Sequence, residues 1–193
     1  MTDETLLERA SRGDEAAFLI LYERHRDAMF RFAYRLLGSV ELAEDVTQDC
    51  LMSLMKRPRQ YDATRAALRT YLYAAVRNLA MKHFRRRGQE VTVEELAQED
   101  EPQVRSEDGP LVRLLDEELA AQVRRAVASL VPLQREALVL FEYEELALSE
   151  IAEIVCADIG TVKARLHRAR AALRRALAPY MESERLEAQK VLK

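Results

Sequence analysis

Six basic residues and no acid fall between Thr161 and Arg175: Lys163, Arg165, Arg168, Arg170, Arg174 and Arg175, with His167 among them. Guanidinium and ammonium groups at that density bind phosphate, and an arginine or lysine that reaches a base edge also reads sequence. Such work needs the cations on one face of a rigid element. The apolar residues Val162, Leu166, Ala169 and Leu173 step by four, three and four, one stripe of a helix that must face a core. At about 100° per residue, Ala164, His167 and Arg168 point away from that stripe, with Lys163 and Arg170 on one flank and Arg165 on the other. Upstream, Ile151, Ala152, Ile154 and Val155 supply the packing surface of a first short helix. Asp158 stands where an N-cap or first-turn carboxylate starts the second. The pattern argues for a helix-turn-helix that lays its second helix against DNA. A solvated amphipathic helix shares the same periodicity and charge.

Two further stretches carry chemistry. The run Val40–Met55 sets an apolar stripe of Leu42, Val46, Cys50 and Leu54 against an acidic edge of Glu41, Glu44, Asp45 and Asp49 with Gln48. Like charges on one helix face repel, so a basic partner would relieve a cost; a merely solvated face is the alternative. The run Ala67–Arg87 combines a core stripe of Leu68, Leu72, Val76 and Leu79 with Tyr71, Tyr73, Phe84, the amide of Asn78 and a basic end. Rings stack on unpaired bases, amides read base edges and cations hold phosphate, the combination that single-stranded DNA recognition uses. A helix with tyrosines in its core and a solvated basic end fits the same residues.

The elements that position these groups are helical. Apolar residues make up 49% of the 193 and charged ones 33%, with only five glycines and five prolines, a composition that favours an all-α fold. Helices are predicted over 4–11, 15–37, 40–55 and 67–87, then 111–129, 132–144, 149–155 and 159–180. Gly13, Gly38 and Pro58 mark helix ends and Pro132 suits a first turn. The stretch Gln98–Pro110, poor in apolar residues, reads as a flexible linker. The expected layout is a first domain over 1–95, an acidic linker over 96–112, a second domain over 113–182 and a charged tail over 183–193 that frays.

Net charge is only −3, but it is unevenly placed. Residues 77–88 carry +5 and 161–175 carry +6, each without an acid, while 89–118 carry −9. A phosphate backbone meets those local fields, not the average. No uncharged run approaches a membrane span and the start MTDETLLERA has no secretion-signal layout, so a cytoplasmic protein is expected. Cys50 and Cys156 form no CxxC and are expected as buried free thiols. His25, His83 and His167 have no metal-ligand spacing and no phosphate loop or nucleophile elbow occurs, so neither metal, cofactor nor catalysis is expected.

The order of these segments resembles the extracytoplasmic-function class of bacterial RNA polymerase sigma factors. Residues 43–54 (AEDVTQDCLMSL) are similar to that family's polymerase-binding segment, 70–87 (TYLYAAVRNLAMKHFRRR) to its minus-10 segment and 148–177 to its minus-35 helix-turn-helix, with GTVKARLHRAR the most specific run. The resemblance implies a sigma-2-like four-helix unit and a sigma-4-like domain. By it, Asp45, Gln48 and Asp49 would dock on a basic coiled coil of core polymerase, with the beta and beta-prime subunits as partners. Tyr61, Tyr71, Asn78, Lys82, Arg85 and Arg86 would melt and hold the minus-10 element, the loop 59–66 taking an extruded base. Lys163, Ala164, His167 and Arg168 would enter the major groove at the minus-35 element, and Arg165 and Arg170 would meet phosphates. An anti-sigma factor is the implied regulator, and the acidic linker would thread a basic polymerase channel and discourage DNA binding by the free chain. Tyr71 stands where the family usually has Trp, Glu145 and Cys156 where it has turn glycines, and Ala164 where serine is frequent. The implied changes are a smaller ring, altered turns and one lost DNA-facing hydroxyl. A stand-alone regulator, an enzyme and an interaction scaffold are the rival readings; only a sigma factor predicts promoter-specific initiation with core polymerase.

Overall fold

The computed structural model describes residues 1–86 and 110–191, and the side chains of 1–86 and 118–180. Among these residues the fold is all-helical, in two groups. The first holds α1 (Asp3–Ser11), α2 (Glu15–Leu37), α3 (Val40–Lys56) and α4 (Leu68–Arg86); the second holds α5 (Pro110–Ala128), α6 (Pro132–Leu138), α7 (Leu148–Val155) and α8 (Ile159–Val191). Start signals are local: side-chain oxygens of Thr2, Asp14, Ser39 and Asp158 accept the backbone N–H of the third residue on, at 3.3, 3.1, 3.3 and 2.8 Å. Gly38 ends α2 in the left-handed region at φ 70°.

In the first group α2 packs against α1, α3 and α4, and in the second α8 packs against α5, α6 and α7. The expected stripes face inward: Val46, Cys50 and Leu54 of α3, Leu68, Leu72 and Val76 of α4, and Val162, Leu166 and Ala169 of α8 are all buried. Each large aliphatic side chain so covered contributes about 1.5–3 kcal/mol of transfer free energy. The two groups touch. Helix α4 packs on α6 and α7, α2 on α5 and α6, and the buried apolar residues form one continuous cluster.

The helix predicted over 132–144 is α-helical only to Leu138. A π-helical turn over Val139–Tyr143 follows, closed by the Glu144 N–H donating to the Val139 carbonyl at 3.1 Å. The apolar period runs unbroken through this stretch, so the widened turn leaves no mark in it. Residues 110–112 belong to the first turn of α5 instead of a linker, and α8 continues through Pro179 to Val191 instead of fraying after residue 182. The rest of the expected linker lies outside the described residues. Cys50 is buried as expected and burial pushes its thiol up to about 12, but Cys156 is exposed, because it occupies the turn between α7 and α8 with its side chain directed outward. The two turns without glycine keep a glycine-like backbone: Glu145 and Cys156 sit at φ 53° and 50°, a conformation that costs a side-chain-bearing residue on the order of 1 kcal/mol.

Candidate nucleic-acid interface

The start of α8 is built around Asp158. Its Oδ1 accepts the Thr161 N–H at 2.8 Å and its Oδ2 accepts the Thr161 hydroxyl at 2.6 Å, the side-chain bond being the main reason its carboxyl lies below the usual range. A Cβ on Gly160 would approach that Oδ1 to 2.9 Å, so glycine leaves the cap its place. With the helix anchored there and Val162, Leu166 and Ala169 buried, Lys163, His167, Arg168 and Arg170 are exposed and Ala164 is half-buried between them. The small side chain of Ala164 thus lies among exposed cations of a type that binds phosphate.

Arg165 and Arg170, both expected on the flanks, have different surroundings. Arg170 donates to Glu142 Oε1 at 2.9 and 2.6 Å in a pair whose side chains are 48% and 44% exposed, so water competes and phosphate can replace the carboxylate. Arg165, 17% exposed, donates at 3.0 Å to Glu136 Oε1, whose side chain is fully buried. It is tied to the C-terminal core.

On α4 the expected residues divide. Asn78, Lys82, Arg85 and Arg86 are exposed along the helix, Asn78 Oδ1 accepting from Arg77 Nη1 at 3.2 Å. Tyr71 and Tyr61 are half-buried and meet edge to face, ring centroids 5.5 Å apart; partial burial raises both hydroxyls above their usual pKa. The loop bearing Tyr61 is shaped by the short 3₁₀ turn Pro58–Gln60 and by Asp62, whose Oδ1 accepts the Thr64 hydroxyl at 2.7 Å and the Thr64 N–H at 2.9 Å. Tyr73 and Phe84, two of the rings that suggested base stacking, are core residues: Tyr73 packs edge to face on Phe32 at 5.1 Å and both side chains are buried. Alternating rings along a sequence do not reveal which of them a second layer of helices covers.

On α3, Glu41, Glu44, Asp45, Gln48 and Asp49 all lie on the exposed face opposite Val46, Cys50 and Leu54. A hydrogen bond from Ser39 is the main cause of Glu41's lowered pKa.

Three charged residues of the α6 to π-turn segment, absent from the expected site, are buried where the two groups meet: Arg135, Glu136 and Glu144. Glu136 also accepts from Arg77 Nε at 2.8 Å. Glu144 accepts from the Tyr73 hydroxyl at 2.5 Å and pairs with Arg35 at 3.4 Å, while its carbonyl accepts from Arg69 at 2.8 Å. Burial, then the Glu144 bond, pushes the Tyr73 hydroxyl up to about 12. Arg135 donates to the Leu36 carbonyl at 2.5 Å, to the Leu130 carbonyl at 3.0 Å and to the Ala128 carbonyl, so the C-terminal ends of α2 and α5 converge on one guanidinium. Their partial negative charge stands in for a carboxylate. Burial lowers its pKa to about 10, which leaves it charged at neutral pH. The signal was available: in Val131–Phe141, VPLQREALVLF, Arg135 and Glu136 are the only charges in an apolar run.

Comparison with known proteins agrees with this geometry. Sigma-70 region 2 matches residues 21–90 and Sigma-70, region 4 matches 120–173. The chain is 30% identical over 80 residues to the ECF RNA polymerase sigma factor BldN of Streptomyces coelicolor, covering 42% of this chain and 30% of that protein. It is 30% identical over 81 residues to SigW of Bacillus subtilis, covering 42% and 43%. The matched stretch thus spans less than half the length of either relative. Among solved structures, the sigma factor RpoE of Bartonella quintana, in complex with the anti-sigma factor NepR, superposes with a TM-score of 0.63 at 26% identity over 83% of this chain and 96% of that one. CnrH, in complex with the cytosolic domain of CnrY, shares the fold at a TM-score of 0.65 and 22% identity over 93% and 99%.

Proposed function

The chain belongs to the extracytoplasmic-function class of the sigma-70 family, and on that premise we propose that it is a transcription-initiation factor, not an enzyme, which directs core RNA polymerase to a set of promoters. The observation that carries this reading is three separate polar faces: an acidic one on α3, a mixed aromatic, amide and basic one on α4 with its preceding loop, and a basic one on α8. The exposed acidic edge of α3 (Asp45, Asp49, with Gln48 between them) suits a basic coiled coil of core polymerase's largest subunit, the beta and beta-prime subunits being the partners of the chain as a whole. Helix α4 with its preceding loop takes the minus-10 element: Tyr61 and Tyr71 offer an aromatic pair beside which an extruded base stacks, worth about 1–3 kcal/mol per base. Asn78 and Lys82 stand one turn apart at the strand fork, with Arg85 and Arg86 on phosphates. Helix α8 takes the minus-35 element through Lys163, Ala164, His167 and Arg168, each good base contact discriminating by about 1–3 kcal/mol. Arg170 meets phosphate, and Arg165 is a positioning residue that fixes the helix on Glu136.

The likeness to a sigma factor held by an anti-sigma factor supports an anti-sigma partner for this chain as well. No helix among the described residues is long and apolar enough to cross a membrane, which accords with action in the cytoplasm where polymerase works. The test is reconstitution: purified chain and core polymerase on genomic fragments, with start sites mapped. Starts sharing an upstream pair of elements are expected. Operator binding by the chain alone, with no association with polymerase, would establish the stand-alone regulator instead.

A further inference from the structure

Tyr61 is half-exposed, yet its hydroxyl oxygen is buried and has no hydrogen-bond partner among the described residues. Helix α1, which carries none of the residues assigned to polymerase or promoter, packs against the 3₁₀ turn Pro58–Gln60 just before it. Burial, then the charges of Glu4 and Asp3, raise the pKa of that hydroxyl, so the first turn of α1 lies against the tip of the side chain. We propose that α1 is a wall of the minus-10 site: Asp3 clamps its first turn onto α2, that turn covers the tip of Tyr61, and the ring is held in the orientation on which an extruded base stacks. Asp3 is then a positioning residue for strand opening. The proposal rests on the sigma-factor reading for the base, whereas the clamp and its hold on the loop belong to the free chain.

The clamp is built from three side chains. Asp3 Oδ2 accepts from His25 Nε2 at 2.8 Å and Oδ1 accepts from Arg24, so the first residue of α1 is tied to two consecutive residues of α2. His25 is buried and the Asp3 side chain is 20% exposed, so water competes here less than at the open pair of Arg12 and Glu8 further along the chain. Leu6, Leu7 and Ala10 are buried as well. A helix of nine residues is marginal alone, and these contacts decide where it sits.

Tyr61 is thereby fixed at both ends. Its N–H donates to the Pro58 carbonyl at 3.2 Å, its ring meets Tyr71 edge to face with centroids 5.5 Å apart, and its tip lies under α1. With the oxygen covered, the side-chain surface left to a base is ring carbon. A ring stacks on any base, whereas an open hydroxyl would favour particular base edges. A ring already held needs no ordering when the base arrives.

The test compares the full chain with its Asp3→Ala variant. In the free chain, hydrogen exchange of the amides of residues 58–66 is expected to accelerate about tenfold in the variant, while exchange in α8 holds. With core polymerase, on a promoter mapped by the reconstitution above, Asp3→Ala is expected to slow strand opening about tenfold, within what the loss of one base stack amounts to. In a Tyr61→Ala background the same substitution is expected to add less than about twofold, because the ring it positions is gone. A helix that only stabilised the fold would give the same factor in both backgrounds. Unchanged exchange in 58–66, opening within about twofold of the parent, or equal factors in both backgrounds overturns the proposal. If Asp3→Ala loses helix content by circular dichroism, Asp3→Asn is measured against the same criteria. A parent chain that opens no promoter with core polymerase removes the sigma-factor reading, and the exchange result then decides the clamp alone.

Discussion

Replacing Arg165 by alanine separates two roles that its position on the recognition helix confounds. If Arg165 were a phosphate contact, its loss would lower the salt dependence of promoter binding, since each neutralised phosphate contributes a slope of about 0.9 in log K against log salt. The structure gives it another role. Its guanidinium lies 3.0 Å from a fully buried carboxylate and is itself only 17% exposed. Stranding one member of a buried pair costs about 3–5 kcal/mol. Arg77 stays on Glu136 at 2.8 Å, which brings the expected loss to roughly 2–3 kcal/mol. At a urea m-value of about 2 kcal/mol per molar, the unfolding midpoint falls by about 1 M or slightly more. Arg170→Ala is the control. Its pair with Glu142 is half-exposed, so stability changes by less than about 0.5 kcal/mol while the salt slope falls by about one. The assays are urea unfolding followed by circular dichroism and salt titration of promoter-fragment binding by the polymerase complex. The reasoning is refuted if Arg165→Ala reduces the salt slope as much as Arg170→Ala while its urea midpoint stays within about 0.2 M of the parent.

Arg135→Met removes the buried guanidinium on which the ends of α2 and α5 converge and leaves three carbonyls without that donor; a loss of about 3–5 kcal/mol is expected in the same urea assay, and Arg135→Lys, a point charge without the guanidinium fork, falls between. Asp158→Ala lowers the melting temperature by removing the α8 cap. Because the folded Asp158 pKa lies below its ordinary value of 3.8, the cap's contribution is complete above that value and fades as pH falls through the folded pKa, so parent and variant melting temperatures converge in strong acid. Cys156→Gly keeps the left-handed turn without a side chain and is expected to stabilise by up to about 1 kcal/mol in thermal melts, with promoter preference unchanged. Reversing charge on the exposed edge of α3 with Asp49→Lys is expected to weaken association with core polymerase tenfold or more (about 1.4 kcal/mol) while the melting temperature holds.

The sequence by itself determined most of the helices, because their period and end signals act within a few residues: Asp158 caps α8 where its position suggested, Gly38 closes α2, and the stripes of α3, α4 and α8 face the core. It also placed the acidic edge of α3 and the cationic face of α8, since opposite faces of a single helix follow from 100° per residue. What only the tertiary structure decided is which polar groups the second layer of packing encloses. Tyr73 and Phe84 lie on the same helix as exposed Asn78 and Lys82, yet neighbouring helices bury the rings. Arg165 and Arg170 flank the same recognition face, yet one meets a buried carboxylate and the other an exposed one. Arg77 counts toward a basic block along the chain and pairs in space with Glu136, 59 residues away. Charge and period are properties of a segment; burial and counter-ion are properties of what folds against it.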